Sequence, residues 1–357
     1  MVAGPRPKVE HASRAPFPLS RWLRNSHLQT LGAALPFWAP RHESPRVDES
    51  VQIPLPGPAG GSLHARVTWL GSDSAPGRRP AIVVVHGVGG TSESRYVIRA
   101  GRAFARAGYH AVRLDLRGSG EGVRTAPCLY HAALTEDLAV AVDWLARSPR
   151  VDGVFVLGFS LGGQLALRWA GELGAGWESR APALRAVATV SAPLDLERTT
   201  AAMERLRSLP YHRYLVQGLV QQGRTFAGLH PARVHYTDTE LDGVRSIRAY
   251  DALVVAPMHG FRSAEDYYAR ASAGPLVRAI EVPTLLVHAE DDPMVPAPLV
   301  RDSLGCAPAA LEQAWSEHGG HVGWIAGVGE QRWLRTWAMD RVFAFFDRHA
   351  RGASGPP

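Results

Sequence analysis

The chain has 357 residues, 39 Lys and Arg against 33 Asp and Glu for a formal charge of +6, and 46% hydrophobic content with two cysteines. That is room for one large α/β domain with an insertion, or for two small domains, with enough apolar content for a core. The basic balance does not mark a nucleic-acid binder, because Lys8 is the only lysine and the arginines run along the whole chain instead of forming a patch with interleaved aromatics.

Residues 1–45 read as a Pro- and Arg-rich arm packed on the core, without the apolar segment of a secretory signal. No run of eighteen apolar residues follows, so no stable membrane insertion is expected and the cytoplasm is the expected compartment. Cys128 and Cys306 are too few for a disulfide framework. Within the arm, Trp22, Leu23, Leu28, Leu31 and Leu35 recur at helical spacing, which predicts a docked helix or turn, with transient membrane-surface contact as the alternative. Residues 46–70 hold two alternating runs, VQIPL and LHARVTWL, and predict an edge hairpin; Pro54 and Pro56 suit an edge.

Strand and helix patterns then alternate: strand 81–86, helix 94–107, strand 110–115, helix 134–147, strand 153–158, helix 161–173 and strand 185–191. Such alternation predicts a mainly parallel sheet with helices on both faces, and ligands outside the carboxyl ends of the strands. Residues 194–275 break the pattern with no clear buried strand and many aromatics: Tyr211, Tyr214, Phe226, Tyr236, Tyr250, Phe261, Tyr267 and Tyr268. They predict a helical cap between two core strands, its aromatics lining an acyl pocket or packing the cap's own core. Strands at 283–289 and 311–316 and a helix at 330–348 complete the pattern, with Trp333, Leu334, Trp337, Val342 and Phe345 facing the sheet. The expected domains are thus the arm 1–45, core 46–193, cap 194–275, core 276–350 and a disordered tail 351–357.

The chemistry concentrates at strand ends. Val154–Leu157 run into Gly158-Phe159-Ser160-Leu161-Gly162 and a helix follows at once, the strand–turn–helix setting of a nucleophile elbow. G-x-S-x-G alone is a weak signal in a chain with 36 glycines; the flanking strand and helix give it weight. The strand at 283–289 ends in Glu290-Asp291-Asp292-Pro293, and the strand at 311–316 leads to His318-Gly319-Gly320-His321. Asp292 is favoured as the acid because the prolines of D-P-x-V-P fix a turn, with Asp291 as the alternative. His321 is favoured as the base because two glycines let its loop fold over the serine, with His318 as the alternative. No third ligand is spaced to make the H-x-x-H pair a metal site, and no cofactor is expected. For an oxyanion hole the backbone N–H groups of Leu161 and Val88 are the candidates, the latter in the loop after strand 81–86. His86 reads as a buried, hydrogen-bonded histidine, and Asp115 as a loop-organising carboxylate.

These residues resemble the YheT-like α/β-hydrolases, bacterial relatives of the eukaryotic α/β-hydrolase-domain acylglycerol and phospholipid esterases. The matching pieces are Ser26-His27-Leu28-Gln29-Thr30, HGVGGTSESRYV (86–97), LDLRGSGEG (114–122), YHAALTEDL (130–138), GFSLGG (158–163), RSIRAYDALV (245–254), GFRSAEDYYARAS (260–272), PTLLVHAEDDPMVP (283–296) and EHGGHVGW (317–324). The resemblance implies the α/β-hydrolase fold, a serine triad at Ser160, Asp292 and His321, and hydrolysis of carboxylic esters, short- to medium-chain acyl esters or acylglycerols, with a small-molecule ester as the partner. The eukaryotic relatives carry an N-terminal membrane anchor that this sequence is expected to lack. Two other readings use the same residues: acyl transfer to an alcohol or amine, and a non-catalytic binding module on the same fold. The oligomeric state is not legible.

Overall fold

The computed structural model describes residues 24–34, 48–58, 60–71, 78–205, 209–305, 307–328 and 334–351. Its centre is an eight-stranded sheet of β1 (Glu49–Pro54), β2 (Ser62–Thr68), β3 (Arg79–Val85), β4 (His110–Asp115), β5 (Val151–Phe159), β6 (Leu184–Val190), β7 (Thr284–Ala289) and β8 (Leu311–Ser316), in the order β1-β2-β4-β3-β5-β6-β7-β8. The hairpin strands β1 and β2 are antiparallel to each other, and β2 to β4; every pairing from β4 onward is parallel. The chain is thus built on the α/β-hydrolase fold.

The β-branched runs explain the sheet. Successive residues of a strand face opposite sides, and both sides are covered. On β5, Val154 and Val156 enter one apolar cluster with Leu138, Val142, Leu165 and Trp169, while Phe155 and Leu157 enter the other with Phe104, Phe345 and Phe346. The first cluster is closed by α3 (Glu136–Ala146) and α4 (Leu161–Leu173), the second by α2 (Arg95–Arg106) and the C-terminal helix that carries Phe345 and Phe346. On α2 the buried residues Val97, Ala100, Gly101, Phe104 and Ala105 fall on one helical stripe.

Between β6 and β7 the chain holds no strand among the described residues. After α5 (Trp177–Arg180), which precedes β6, come α6 (Leu196–Met203), α7 (Leu209–Leu229), α8 (Asp238–Gly243), α9 (Ile247–Tyr250), a π-helical turn at Asp251–Val255, α10 (Ala256–Met258) and α11 (Ala264–Ala271). α12 (Ala297–Leu304) follows β7.

Two sequence expectations are corrected. The last helix, α13 (Trp337–Arg351), starts later than residue 330, because Leu334–Thr336 form β10, paired with β9 (Ile325–Val328), and Thr336 Oγ1 accepts from the Met339 N–H to cap the helix. Trp333 lies outside the described residues. In the arm, α1 (Ser26–Ala34) is a helix capped by Asn25, but its leucines do not dock: Leu28 and Leu31 are exposed while Gln29 is fully buried. The face that meets the protein meets polar backbone, as shown below. Trp22, Leu23, Leu35, most of the arm 1–45, Cys306 and the tail from 352 lie outside the described residues.

Candidate active site

The carboxyl end of β5 turns into α4 at Ser160, whose φ of 51° and ψ of −119° are uncommon for a residue with a side chain. Its N–H donates to Val190 O on neighbouring β6 at 2.8 Å. Each glycine beside it is required by space. A Cβ at Gly158 would lie 2.3 Å from the Gly162 carbonyl oxygen, and one at Gly162 would lie 2.4 Å from that of His86, at the end of β3. The turn therefore presses helix against strand and neighbouring strand, and leaves the serine hydroxyl standing at the sheet's edge.

One residue from a distant loop meets that hydroxyl, and a second, from another loop, holds the first. His321 Nε2 is 3.0 Å from Ser160 Oγ, and its Nδ1 is 2.9 Å from Asp292 Oδ2. The turn after β7 orients Asp292, whose Oδ1 accepts from the Met294 and Val295 N–H groups at 2.9 Å each. Burial works to raise the Asp292 carboxyl, but the His321 imidazole and these bonds outweigh it and hold the group below the usual carboxylate range. Asp291 and His318 form a separate pair, Nδ1 to Oδ2 3.2 Å. The two histidines of H-x-x-H thus serve different carboxylates, and no group of three or more metal-ligating side chains is gathered among the described residues.

The loop holding His321 is strained and clamped. Gly320, Val322 and Trp324 all have positive φ, of 60°, 60° and 49°, a costly state for valine and tryptophan. Three consecutive N–H groups are each taken by a side-chain oxygen from elsewhere. Gly320 donates to Asp291 Oδ1 at 3.0 Å, His321 to Thr30 Oγ1 at 2.9 Å, and Val322 to Ser191 Oγ at 3.1 Å. A Cβ at Gly320 would lie 2.4 Å from Ser26 O on α1, and one at Gly319 would lie 2.4 Å from the indole of buried Trp324. Those glycines admit close packing by α1 and Trp324, which sequence reading assigned instead to loop folding. Thr30, Ser191 and Asp291 were not foreseen in this role; the Ser26–Thr30 motif was the available signal.

The loop after β3 is pinned on both sides of Val88. Gly87 donates to Tyr96 Oη at 2.9 Å and Gly89 to Tyr130 Oη at 2.8 Å, while the N–H groups of Val88 and Leu161 find no acceptor among the described residues. Gly87 packs onto the serine, its would-be Cβ 3.0 Å from Ser160 Cβ. Behind it His86 is fully buried, bonded to Gly87 O at 2.7 Å and Ser119 Oγ at 2.9 Å, and burial lowers its pKa. Asp115 ties loops together through Ser92 and His64.

Ser160, His321, Val88 and Leu161 open onto a cavity whose far walls come from α6, α7, α9, α11 and the π-helical turn. Of the aromatics between β6 and β7, Tyr250, Tyr267 and Tyr268 line it. Phe226 and Tyr236 pack inside the helical layer, Tyr214 is exposed, and Tyr211 stacks on His27 of α1 and bonds its ring at 2.9 Å.

Residues 80–306 match the family model described as alpha/beta hydrolase fold. Over 354 residues the chain is 31% identical to YheT of Escherichia coli (strain K12), a candidate esterase by its name, with 95% of this chain and 96% of that one covered. It is 27% identical to a monoacylglycerol lipase of Saccharomyces cerevisiae over 76% of this chain and 62% of the lipase. It is 29% identical to the phospholipase ABHD3 of Mus musculus over 75% of this chain and 63% of the phospholipase. The chain thus spans less than two thirds of those two eukaryotic relatives. Among solved structures, a 2,6-dihydroxy-pseudo-oxynicotine hydrolase superposes with a TM-score of 0.57 at 18% identity, covering 85% of this chain and 69% of the other. An esterase of Pyrococcus furiosus superposes with a TM-score of 0.52 at 18% identity, covering 87% and 97%. These two show the fold alone.

Proposed function

The chain belongs to the α/β-hydrolase family, in its YheT-like branch, and on that premise we propose that it is a carboxylic ester hydrolase working through Ser160, His321 and Asp292. Ser160 Oγ attacks the ester carbonyl carbon as His321 Nε2 takes the hydroxyl proton. The N–H groups of Val88 and Leu161 receive the negative charge that forms on the carbonyl oxygen, and collapse expels the alcohol with the proton from His321. Water, deprotonated by the same imidazole, then releases the acid and restores the serine. Asp292 holds the ring with Nδ1–H toward itself and steadies the imidazolium. The single observation that supports this most is the continuous contact from Asp292 through His321 to Ser160, 2.9 Å and 3.0 Å, at the mouth of a cavity.

On this reading residues 46–193 and 276–350 are the catalytic core and 194–275 a cap roofing the acyl pocket. The mostly apolar lining suits an acyl chain, and short- to medium-chain esters or acylglycerols are the proposed substrates. No helix among the described residues is long and apolar enough to cross a membrane. The test is fluorophosphonate labelling of the purified protein with a panel of p-nitrophenyl esters from acetate to palmitate. Labelling and hydrolysis are expected, both lost in Ser160→Ala; a folded wild-type protein that is neither labelled nor active refutes the reading.

A further inference from the structure

Two of the sequence motifs take no part in the chemistry above: RSIRAYDALV (245–254) and GFRSAEDYYARAS (260–272). The fold brings them together on the cavity wall. Tyr268 of the second donates its hydroxyl to Asp251 Oδ2 of the first at 2.6 Å, and both line the same cavity as Ser160.

Three features set this carboxyl apart from one that only braces the helices. It opens the π-helical turn Asp251–Val255, a local departure from α-helix that often marks functional positions. Pro257 cannot donate to the Leu253 carbonyl, which instead accepts from His235 Nε2 at 2.9 Å. Second, among the described residues Tyr268 is its only hydrogen-bond partner, so one carboxyl oxygen is left for something in the cavity. Arg248 acts on it electrostatically, but that guanidinium is bonded to Glu197 and Glu265. Third, on the adjoining wall Thr199 Oγ1 is buried and has no partner among the described residues. A carboxyl oxygen and a hydroxyl, each without a partner among the described residues, thus belong to residues that line one mostly apolar space, where an unmet buried hydroxyl is costly.

We propose that Asp251, held by Tyr268, forms with Thr199 a subsite for a hydroxyl group of the substrate, so that the preferred substrate is a hydroxyl-bearing ester. A hydroxyl can donate to the carboxyl oxygen and exchange a hydrogen bond with the threonine, which an alkyl chain cannot. The inference rests on the ester-hydrolase reading and adds the chemistry of the group that is recognised. Burial raises the Asp251 carboxyl to about 7, so it is present in both acid and ionised forms near neutrality. A neutral hydroxyl can bond either form.

The test compares kcat/KM within two matched pairs. One is propyl butanoate against its terminally hydroxylated propyl analogue; the other is ethyl hexanoate against its terminally hydroxylated acyl analogue. Wild type is expected to favour the hydroxylated member of at least one pair by roughly 10-fold or more, because a site built to bond a hydroxyl rejects the analogue that lacks it. The ratio is expected to collapse to about unity in Asp251→Leu and to fall several-fold in Asp251→Asn and Thr199→Val. A wild-type ratio near one in both pairs, or a ratio that survives Asp251→Leu, overturns the proposal. If Asp251→Leu does not fold, unchanged ratios in the other two variants overturn it and a fall in either supports it. Wild type that cleaves no ester and escapes fluorophosphonate labelling at Ser160 instead overturns the hydrolase reading, and the subsite with it.

Discussion

Replacing Thr30 by valine deletes one oxygen and keeps the side chain's shape. That oxygen accepts from the His321 N–H at 2.9 Å and itself bonds back to Ser26 O at 2.8 Å. The bond lies at the middle of three that hold a loop with positive φ at Gly320, Val322 and Trp324. Losing the acceptor leaves a part-buried N–H unsatisfied, at a cost of about 1–3 kcal/mol. The neighbouring strained residues store energy of similar size, about 1–3 kcal/mol each, that relaxes once the clamp opens. If the whole cost falls on keeping the imidazole at Ser160, kcat/KM drops by roughly 5- to 150-fold, since about 1.4 kcal/mol is a factor of ten. The assay is kcat/KM on a p-nitrophenyl ester together with the rate of fluorophosphonate labelling. Both are expected to fall in parallel in Thr30→Val and to be restored in Thr30→Ser, which keeps the acceptor. The melting temperature is expected to move little, because the effect is confined to one loop. A Thr30→Val enzyme within twofold of wild type in both measurements refutes the positioning role of α1.

Tyr130→Phe deprives the Gly89 N–H of its acceptor beside Val88, and is expected to lower kcat/KM by roughly 5- to 50-fold, chiefly through kcat; unchanged kinetics would leave the loop geometry independent of that tyrosine. Gly162→Ala drives a methyl into the His86 and Val85 carbonyls; backbone cannot step aside cheaply, so a large fall in melting temperature and loss of Ser160 labelling are expected. Asp292→Asn is expected to lower kcat by about 10⁴-fold, as loss of the tautomer-fixing carboxylate does in serine triads. Asp251 supplies a pH signature. Its carboxyl is raised from 3.8 to about 7 by burial, so its contribution to stability is full below pH 4 and lost as pH rises through 7. Asp251→Asn therefore gains thermal stability relative to wild type between pH 4 and pH 8, and a constant difference across that range contradicts the assignment.

Much of the fold was legible because local patterns and tertiary demands agree. The buried runs of β3, β5 and β7 admit no polar face, and their neighbours carry a helical stripe, so a parallel sheet between two helical layers satisfies every segment. The elbow was legible for a stronger reason: the exclusion of side chains at 158 and 162 is a packing requirement of helix, strand and adjacent strand together, and it survives in the sequence as glycine. The late start of α13 was not legible, because Leu334 and Trp337 fit a helical stripe as well as a strand followed by a helix. The cap residue Thr336 decides between them only when the partner strand at Ile325–Val328 is known.

The arm shows why apolar spacing can point the wrong way. Leu28 and Leu31 form the hydrophobic stripe of α1, yet the residues buried there are Gln29 and Gly32. The surface that receives α1 is the backbone of the His321 loop, three of whose N–H groups need acceptors, so a polar helix face fits it better than leucine does. Periodicity weighs only how much apolar area a helix can hide; it contains no information about a polar partner nearly three hundred residues away in sequence. The same holds for Ser191, a single oxygen supplied from a strand end to a loop that the chain reaches much later, and for Asp291, whose two oxygens serve His318 and Gly320. The groups proposed to do the chemistry leave motifs, because their residue types are fixed by reactivity. The groups that hold them in place need only offer an oxygen at the right point in space, and many residues at many positions can do that.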